Sequence, residues 1–428
     1  MLGGGYFVSQ NKVIPGSYIN FVSLNNASAN LADRGVVAMA MELNWGDASK
    51  IIEVTNETIT KDCFKVFGYE YGDASLKDIR EVMLHATKLL LYRLNGAGVK
   101  ASNTFGAAKY AGTRGNAIKT VIAVNADDSD KWDVSTYVDT TLVDKQVGVT
   151  SAAALVDNDY FDFDKTATLA ATTGTSCTGG TNSSVTGTNH SDFMALLEEQ
   201  TYNIICTTST DGSVKALYVA FTKRMVEECG IRIQAVLYNQ AADHECIINE
   251  ATAANLVPWL AGAEAGCALN KSLTNTTYDG ENTISTSYTQ SQLEDAINAG
   301  KIVFHKVGDA YNVLRDINSL VTLTDDKGSD FQSNQTVRVI NQIGNDIAVL
   351  FNTRYLGKVP NDAEGRTSFW SALVDYFNQL RQMRAIEVFT PNTDITVEAG
   401  EQKNSVVVNT NITPVSCMEI LYMTVVVS

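Results

Sequence analysis

The sequence predicts a mixed α/β (α+β) core, interrupted by a small all-β insertion and flanked by extended N- and C-terminal arms. Three observations carry this expectation. From about residue 190, apolar runs of strand length alternate with helical periodicity, the rhythm of a partly parallel sheet. Between 108 and 188 the helical period disappears, and Thr, Ser, Asp and Gly punctuate short alternating runs. Residues 417–428 form a β-branched, aromatic segment with no turn or charged tail after it. Strand propensity of that strength needs a partner edge, because an unpaired apolar strand invites association.

In chain order, residues 1–22 read as an arm. Gly3, Gly4 and Gly5 remove local stiffness, and Pro15-Gly16 marks a turn between short extended stretches. Tyr6, Val8, Val13, Tyr18 and Ile19 are its candidate contact residues. Nothing in it resembles a signal peptide, since a basic start and a continuous apolar stretch are both missing. Residues 23–107 form a first core part. A buried strand is expected over 35–41, and a helix over 75–94, with Leu76, Ile79, Met83, Ala86 and Leu90 on one face and Ser75 and Asp78 as a capping pair. Residues 108–188 form the insertion, expected to face outward. It holds a glycine loop at 112–116, a strand over 118–124, and a Thr/Ser/Gly/Asn surface loop or linker over 172–189.

Residues 189–360 resume the core. Helices are expected over 192–200, 213–229 (ended by Gly230) and 337–356, and Ser291 with Glu294 forms a capping box for another. Strands are expected over 202–206, 231–238, 301–307 and 311–317. Residues 361–414 contain a helix over 367–384, with Phe369, Leu373, Phe377 and Leu380 on its buried face, then strands at 385–389, 394–397 and 405–408. Arg381 and Arg384 sit near that helix's C-terminal end, to meet an acidic partner or to favour the helix terminus. Residues 415–428 are the second arm, with Leu421, Tyr422, Met423, Val425 and Val427 as contact residues.

Composition narrows the function. Lys plus Arg number 32 against 48 Asp plus Glu, a net charge of -16, which argues against nucleic-acid binding. No apolar run approaches the roughly 20 residues of a membrane helix. Seven scattered cysteines without a C-x-x-C indicate reduced, mostly buried thiols, as in a protein of the cytoplasm. The phosphate-binding, dinucleotide and nucleophile-elbow motifs are all missing, so no cofactor is expected. His244-Glu245-Cys246 resembles part of a zinc-deaminase signature, but the downstream P-C-x-x-C is lacking. Asp157, Asp159, Asp162 and Asp164 admit a calcium reading or a solvated strand or turn. The 112–116 loop admits an anion cradle or a domain-junction turn.

Ordered motifs along the chain carry a resemblance. They include Pro15-Gly16-Ser17-Tyr18-Ile19-Asn20, Arg34-Gly35-Val36-Val37-Ala38 with Trp45-Gly46, and Leu91-Tyr92-Arg93-Leu94-Asn95-Gly96. Further on come Tyr110-Ala111-Gly112-Thr113-Arg114-Gly115-Asn116, Ala261-Gly262-Ala263-Glu264-Ala265-Gly266 and Ser272-Leu273-Thr274-Asn275. Asp316-Ile317-Asn318-Ser319-Leu320, Asn345-Asp346-Ile347, Tyr355-Leu356-Gly357-Lys358-Val359 and Met418-Glu419-Ile420-Leu421-Tyr422-Met423-Thr424-Val425 complete the set. In this order they resemble contractile tail sheath proteins of phages and of phage-tail-like, R-type or diffocin-like bacteriocins of Gram-positive bacteria. Only 117–188 departs from the pattern. The resemblance implies a structural subunit and no enzyme. It implies hexameric rings stacked as a helical sheath around a tail tube, with baseplate and tail terminator proteins as further partners. It implies assembly in the bacterial host cytoplasm, as part of a virion tail or a released tail-like particle. On this resemblance 1–22 and 415–428 are inter-subunit strands, and Arg381 and Arg384 are tube contacts. The rival expectations are a non-contractile surface-layer or capsid-like lattice and an enzyme with an unrecognised site.

Overall fold

The computed structural model describes residues 34–427, together with the backbone of Gly3–Gly5 and Gly16–Tyr18, which pair in parallel. Tyr6, Val8, Val13 and Ile19 lie outside the described residues, and only the backbone of Tyr18 is described.

The centre is a seven-stranded sheet. Its order across the sheet is Lys301–Ile302, Ile247–Glu250, Gln234–Tyr238, Ile204–Thr207, Val36–Met41, Lys88–Arg93 and Ile52–Val54. Six strands run parallel, and Ile52–Val54 alone is antiparallel, at the edge. In chain order the longer helices are α1 (Lys77–Met83), α2 (Gly187–Leu197), α3 (Gly212–Glu227), α4 (Val257–Gly266), α5 (Gln290–Asn298), α6 (Asn334–Leu350) and α7 (Ala363–Gln382). Alternate residues on each strand feed opposite faces. Val37, Met39, Leu89, Leu91, Ile204 and Cys206 pack beneath α1 and α4. Ala38, Ala40, Leu90, Tyr92 and Ile205 pack against α2 and α3. Burial on both faces makes these strands continuously apolar. The mixed α/β class expected from the sequence is therefore the fold observed.

Between Asn95 and Ser183 the chain leaves the core to build a β-sandwich. One antiparallel sheet orders Thr141–Val149, Trp132–Val138, Ile118–Val124 and Thr172–Ser176; the other orders Phe161–Phe163, Gly106–Ala111 and Lys100–Asn103. The two sheets enclose Phe105, Ile118, Ile122, Val134, Phe161 and Phe163, and Trp45 of the core reaches into the same cluster. The strands of this unit begin at Lys100, earlier than residue 108. At its neck Val99 and Thr181 exchange backbone hydrogen bonds of 3.1 and 3.0 Å. A fourth cluster joins α6, α7 and the antiparallel hairpin Ile395–Ala399 with Val406–Thr410, through Val339, Leu350, Phe369, Leu373, Phe377 and Ile395.

Several expectations are corrected. The helix expected over 75–94 is α1 alone; Leu84 caps it, and Lys88–Arg93 is a central strand. No Ser75–Asp78 pair caps it: Asp73 accepts the Ser75 N–H at 2.8 Å and caps the 3-10 turn Ala74–Leu76 that leads into α1. The 172–189 stretch is no simple linker: it holds the strand Thr172–Ser176 and the start of α2, capped by Thr186 with Asn189. The capping box before Gly300 is Thr289 with Gln292, two residues upstream of the expected pair. The strand expected over 301–307 is broken between the core sheet and a hairpin, Phe304–Val307 with Ala310–Val313. Residues 385–389 make a single bridge, Ile386 to Pro414, and no strand. Ile247–Glu250 and α4 were not anticipated.

Candidate assembly surfaces

The C-terminal arm is fastened at its root and free beyond it. Val415 N–H donates to the Ala385 carbonyl at 3.0 Å, and Cys417 N–H donates to Gln335 Oε1 at 3.1 Å. The Glu419 carboxylate accepts from Thr274 Oγ1 at 2.7 Å and from Arg315 Nε at 2.8 Å. Past Glu419 the chain forms no ladder with any described strand. Ile420, Leu421, Tyr422, Met423, Val425, Val426 and Val427 are exposed, Tyr422 and Val427 at 90% each. Full burial of such a side chain is worth roughly 1.5–3 kcal/mol. A segment this apolar is stable in water only when something covers it. The molecule also presents open edges, since each strand of the two-stranded 395–410 hairpin has one unpaired side among the described residues.

Arg381 and Arg384 are both exposed, and neither has an ion-pair partner among the described residues. They do not share a helix face. Arg381 is in the last turn of α7, whereas Arg384 follows its end with φ of 61°. The Ala385 N–H returns to the Leu380 carbonyl at 2.9 Å, and the Arg384 N–H to the Arg381 carbonyl at 2.9 Å. This left-handed helix ending is the position where glycine is preferred, and a side chain there costs about 1–2 kcal/mol.

The 112–116 loop is the junction between sandwich and core. Its amides are taken: Gly112 N–H by Val99 O at 3.2 Å, Thr113 N–H by Asn182 Oδ1 at 3.3 Å, Arg114 N–H by Asn44 O at 3.2 Å. No nest of free donors remains for an anion, so the junction reading holds. Gly112 has φ of 135°, and a Cβ on it would lie 2.2 Å from the Asn44 carbonyl oxygen. Arg93 is buried and donates to the Leu43, Gly46 and Ala111 carbonyls at 2.9, 2.8 and 2.8 Å. Arg114 donates to Gly68 O at 2.7 Å, pairs with Asp139 at 2.7 Å and covers the Tyr69 ring at 4.3 Å.

The metal readings fare poorly for a geometric reason. Asp157 is held by Lys165 at 2.7 Å, Asp159 by Lys65 at 3.1 Å, and Asp162 by Lys100 and Lys109 at 3.2 and 3.0 Å. Asp164 accepts from its own turn at Thr166. Each carboxylate thus serves a separate partner rather than one centre. Donor atoms of His244, Glu245 and Cys246 do lie within 4.8 Å of one another. However, His244 Nδ1 accepts the Cys246 N–H at 3.1 Å, and its Nε2 faces Glu227 at 2.9 Å. Lys327 already neutralises Glu245 at 2.6 Å, and burial pushes the Cys246 thiol up to about 12. All seven cysteines are unpaired; Cys63, Cys177, Cys206 and Cys246 are buried and Cys229 is exposed. No helix among the described residues is long and apolar enough to cross a membrane.

Comparison with known proteins assigns the chain. Four family descriptions match in succession: tail sheath protein Gp18 domain III N-terminal region over 34–94, phage tail sheath protein beta-sandwich domain over 95–182, phage tail sheath protein central domain over 183–319, and phage tail sheath C-terminal domain over 326–428. The crystal structure of a sheath tail protein from Desulfitobacterium hafniense is 37% identical with a TM-score of 0.85, covering 94% of this chain and 98% of that one. The chain belongs to the phage tail sheath family. This sheath protein is also 30% identical to the phage-like element PBSX protein XkdK of Bacillus subtilis (strain 168), over 99% of each chain. At 11% identity and a TM-score of 0.57, it shares its fold with the contracted helical sheath of the anti-feeding prophage, over 97% of this chain and 99% of that one.

The motifs singled out in the sheath sequence gather at two places. Trp45-Gly46, Arg93 and Gly112–Arg114 meet at the sandwich junction described above. Glu264, Thr274 and Asp316 meet beneath α6, around a residue the sequence did not single out. Arg338, fully buried, pairs with Glu264 Oε2 at 2.6 Å and Asp316 Oδ2 at 3.2 Å and donates to Lys271 O at 3.0 Å. Burial first, then the Asp316 carboxylate, pushes Glu264 up to about 8. At Asp316 burial is the largest influence and pushes up, but the Arg338 guanidinium and the hydrogen bonds from Glu264, Leu273 and Asn334 together hold the carboxyl below the usual range. A proton on Glu264 therefore leaves one anion for one cation, and lets Glu264 donate to the neighbouring Asp316 carboxylate. The available signal was polar residues recurring at helical spacing on α6, a pattern that reads as a solvent face until it is seen to be buried.

Proposed function

We propose that this chain is the contractile sheath subunit of a phage tail or phage-tail-like bacteriocin, stacking as hexameric rings around a tail tube. One observation carries the reading: an exposed, apolar, strand-forming segment, 420–427, on a folded domain that also offers unpaired hairpin edges. A strand donated to a neighbour's edge gains main-chain hydrogen bonds, while its alternate side chains set the register. The N-terminal residues 1–22, with Gly3, Gly4 and Gly5, serve as the second link. Links of this kind persist while subunits rotate as rigid bodies, so rings stay joined as the sheath shortens. The extended state is a kinetic trap whose energy is stored during assembly, and the subunit does no catalysis. The C-terminal end of α7, with Arg381 and Arg384, faces acidic residues of the tube. The sandwich faces outward. Baseplate and terminator proteins close the two ends of the stack, and assembly takes place in the cytoplasm of the host. The fold shared with a contracted sheath supports this mechanism by analogy.

Deleting 420–428 tests the proposal. The truncated chain should remain folded, because Cys417 and Glu419 keep their core partners. It should no longer form cylinders in electron micrographs. Sheaths of normal length from the truncated chain would sink it.

A further inference from the structure

Four side chains of α6 form a buried polar stripe. Gln335, Arg338, Gln342 and Asp346 recur at steps of three, four and four residues, so they share one face. All four are buried, where polar groups are costly unless satisfied. Their partners come from four different parts of the molecule. Gln335 Oε1 accepts the Cys417 N–H at the root of the C-terminal arm. Arg338 engages Glu264 and Asp316 of the core. Gln342 Oε1 accepts from Arg34 at 3.3 Å, the residue at which the continuously described core begins, twelve positions past the 1–22 arm. Asp346 accepts from Tyr376 Oη of α7 at 2.8 Å. A second strand of contacts runs alongside: Thr274 Oγ1 donates to Glu419 on the arm and accepts the Asp316 N–H at 3.0 Å.

Gln335 and Gln342 are seven residues apart, about 10 Å along a helix of 1.5 Å rise. The root of the C-terminal arm and the start of the core at Arg34 are thus held two turns apart on one helix, with Arg338 between them. We propose that this stripe is a common anchor for the root of the C-terminal arm and for Arg34, the N-terminal root of the core, and that Arg338 is a positioning residue that holds both roots in fixed relation. Tension at either root is then shared between α6 and the central strand Val36–Met41 that follows Arg34. The mechanical consequence rests on the reading that the arms link subunits; the anchoring itself does not.

The test uses the full chain expressed alone, so its outcome is independent of whether sheaths form. Hydrogen exchange at 415–419 reports the C-terminal root, and the rate of tryptic cleavage after Arg34, read by mass spectrometry, reports the N-terminal root. Gln335→Leu should speed exchange at 415–419 roughly tenfold, the effect of losing one buried hydrogen bond, and leave cleavage at Arg34 unchanged. Gln342→Leu should do the reverse. Arg338→Met should loosen both roots together. Unchanged protection at both roots in the two glutamine variants would overturn the proposal, as would an Arg338→Met chain loosened only around Glu264 and Asp316. If Arg338→Met does not fold, the glutamine variants decide alone. Normal sheaths from the 420–428 deletion would instead count against arm exchange, leaving the anchor standing.

Discussion

Glu264 and Arg384 each hold a state that an isolated residue would avoid. Glu264 is raised from its ordinary 4.5 to about 8, so the folded chain binds a proton there that the unfolded chain releases. Glu250, raised to about 8 by burial, behaves alike. Where the native state binds more protons, stability falls as pH rises. This contribution is fully present below about pH 4.5 and is lost as pH climbs through about 8, by at most about 1.4 kcal/mol per pH unit for each proton. Urea titrations between pH 5 and 9 should show the decline, and Glu264→Gln should flatten it. An unchanged slope in that variant would mean Glu264 is ionised throughout. Arg384 occupies a left-handed helix ending at which glycine is cheaper. On the proposed tube contact, this strain is retained for binding. Arg384→Gly should therefore stabilise the isolated chain by about 1 kcal/mol in thermal melts, yet weaken its co-sedimentation with tail tubes. A variant that is stabilised and still binds fully would leave the residue without a contact role.

Elements were legible where period and length agreed. The helical face of α7 and the strand Ile118–Val124 follow directly from their apolar spacing. The failures have physical causes. Leu89, Leu90 and Leu91 are buried from both sides of a parallel sheet, so they show no alternation, and the helical period of α1 ran on into them. Thr172–Ser176 is a sheet edge made of residues that compose loops equally well. The junction loop admits two readings on sequence because its glycine is explained by the approach of Asn44, a long-range contact. Gly112→Ala must displace that carbonyl and strain a φ of 135°, and should cost at least about 2 kcal/mol by denaturant unfolding. A neutral substitution would show that the junction yields easily. The anchor beneath α6 was illegible for a related reason: Gln335, Arg338 and Gln342 have a surface residue's chemistry, and only the tertiary fold buries them.

On the scale of the molecule, the β-sandwich is attached through a narrow neck. Val99 and Thr181 pair directly, and a Cβ on Gly98 would lie 1.8 Å from the Thr181 carbonyl oxygen. Removing 99–181 and joining Gly98 to Asn182 should therefore leave the α/β core folded by circular dichroism, with a lower Tm from exposing Trp45. Sheaths built from it should be narrower in electron micrographs. Failure to assemble despite a folded core would place lattice contacts in the sandwich.

Cys229, just past the end of α3, is the sole exposed thiol of the seven, and the four buried ones are pushed up in pKa by burial. A maleimide probe should consequently react first at that position in the unaltered protein. One dye or gold particle per subunit would then mark the radius and pitch of α3 in any particle the chain builds, so that shortening of a single tail could be followed by light.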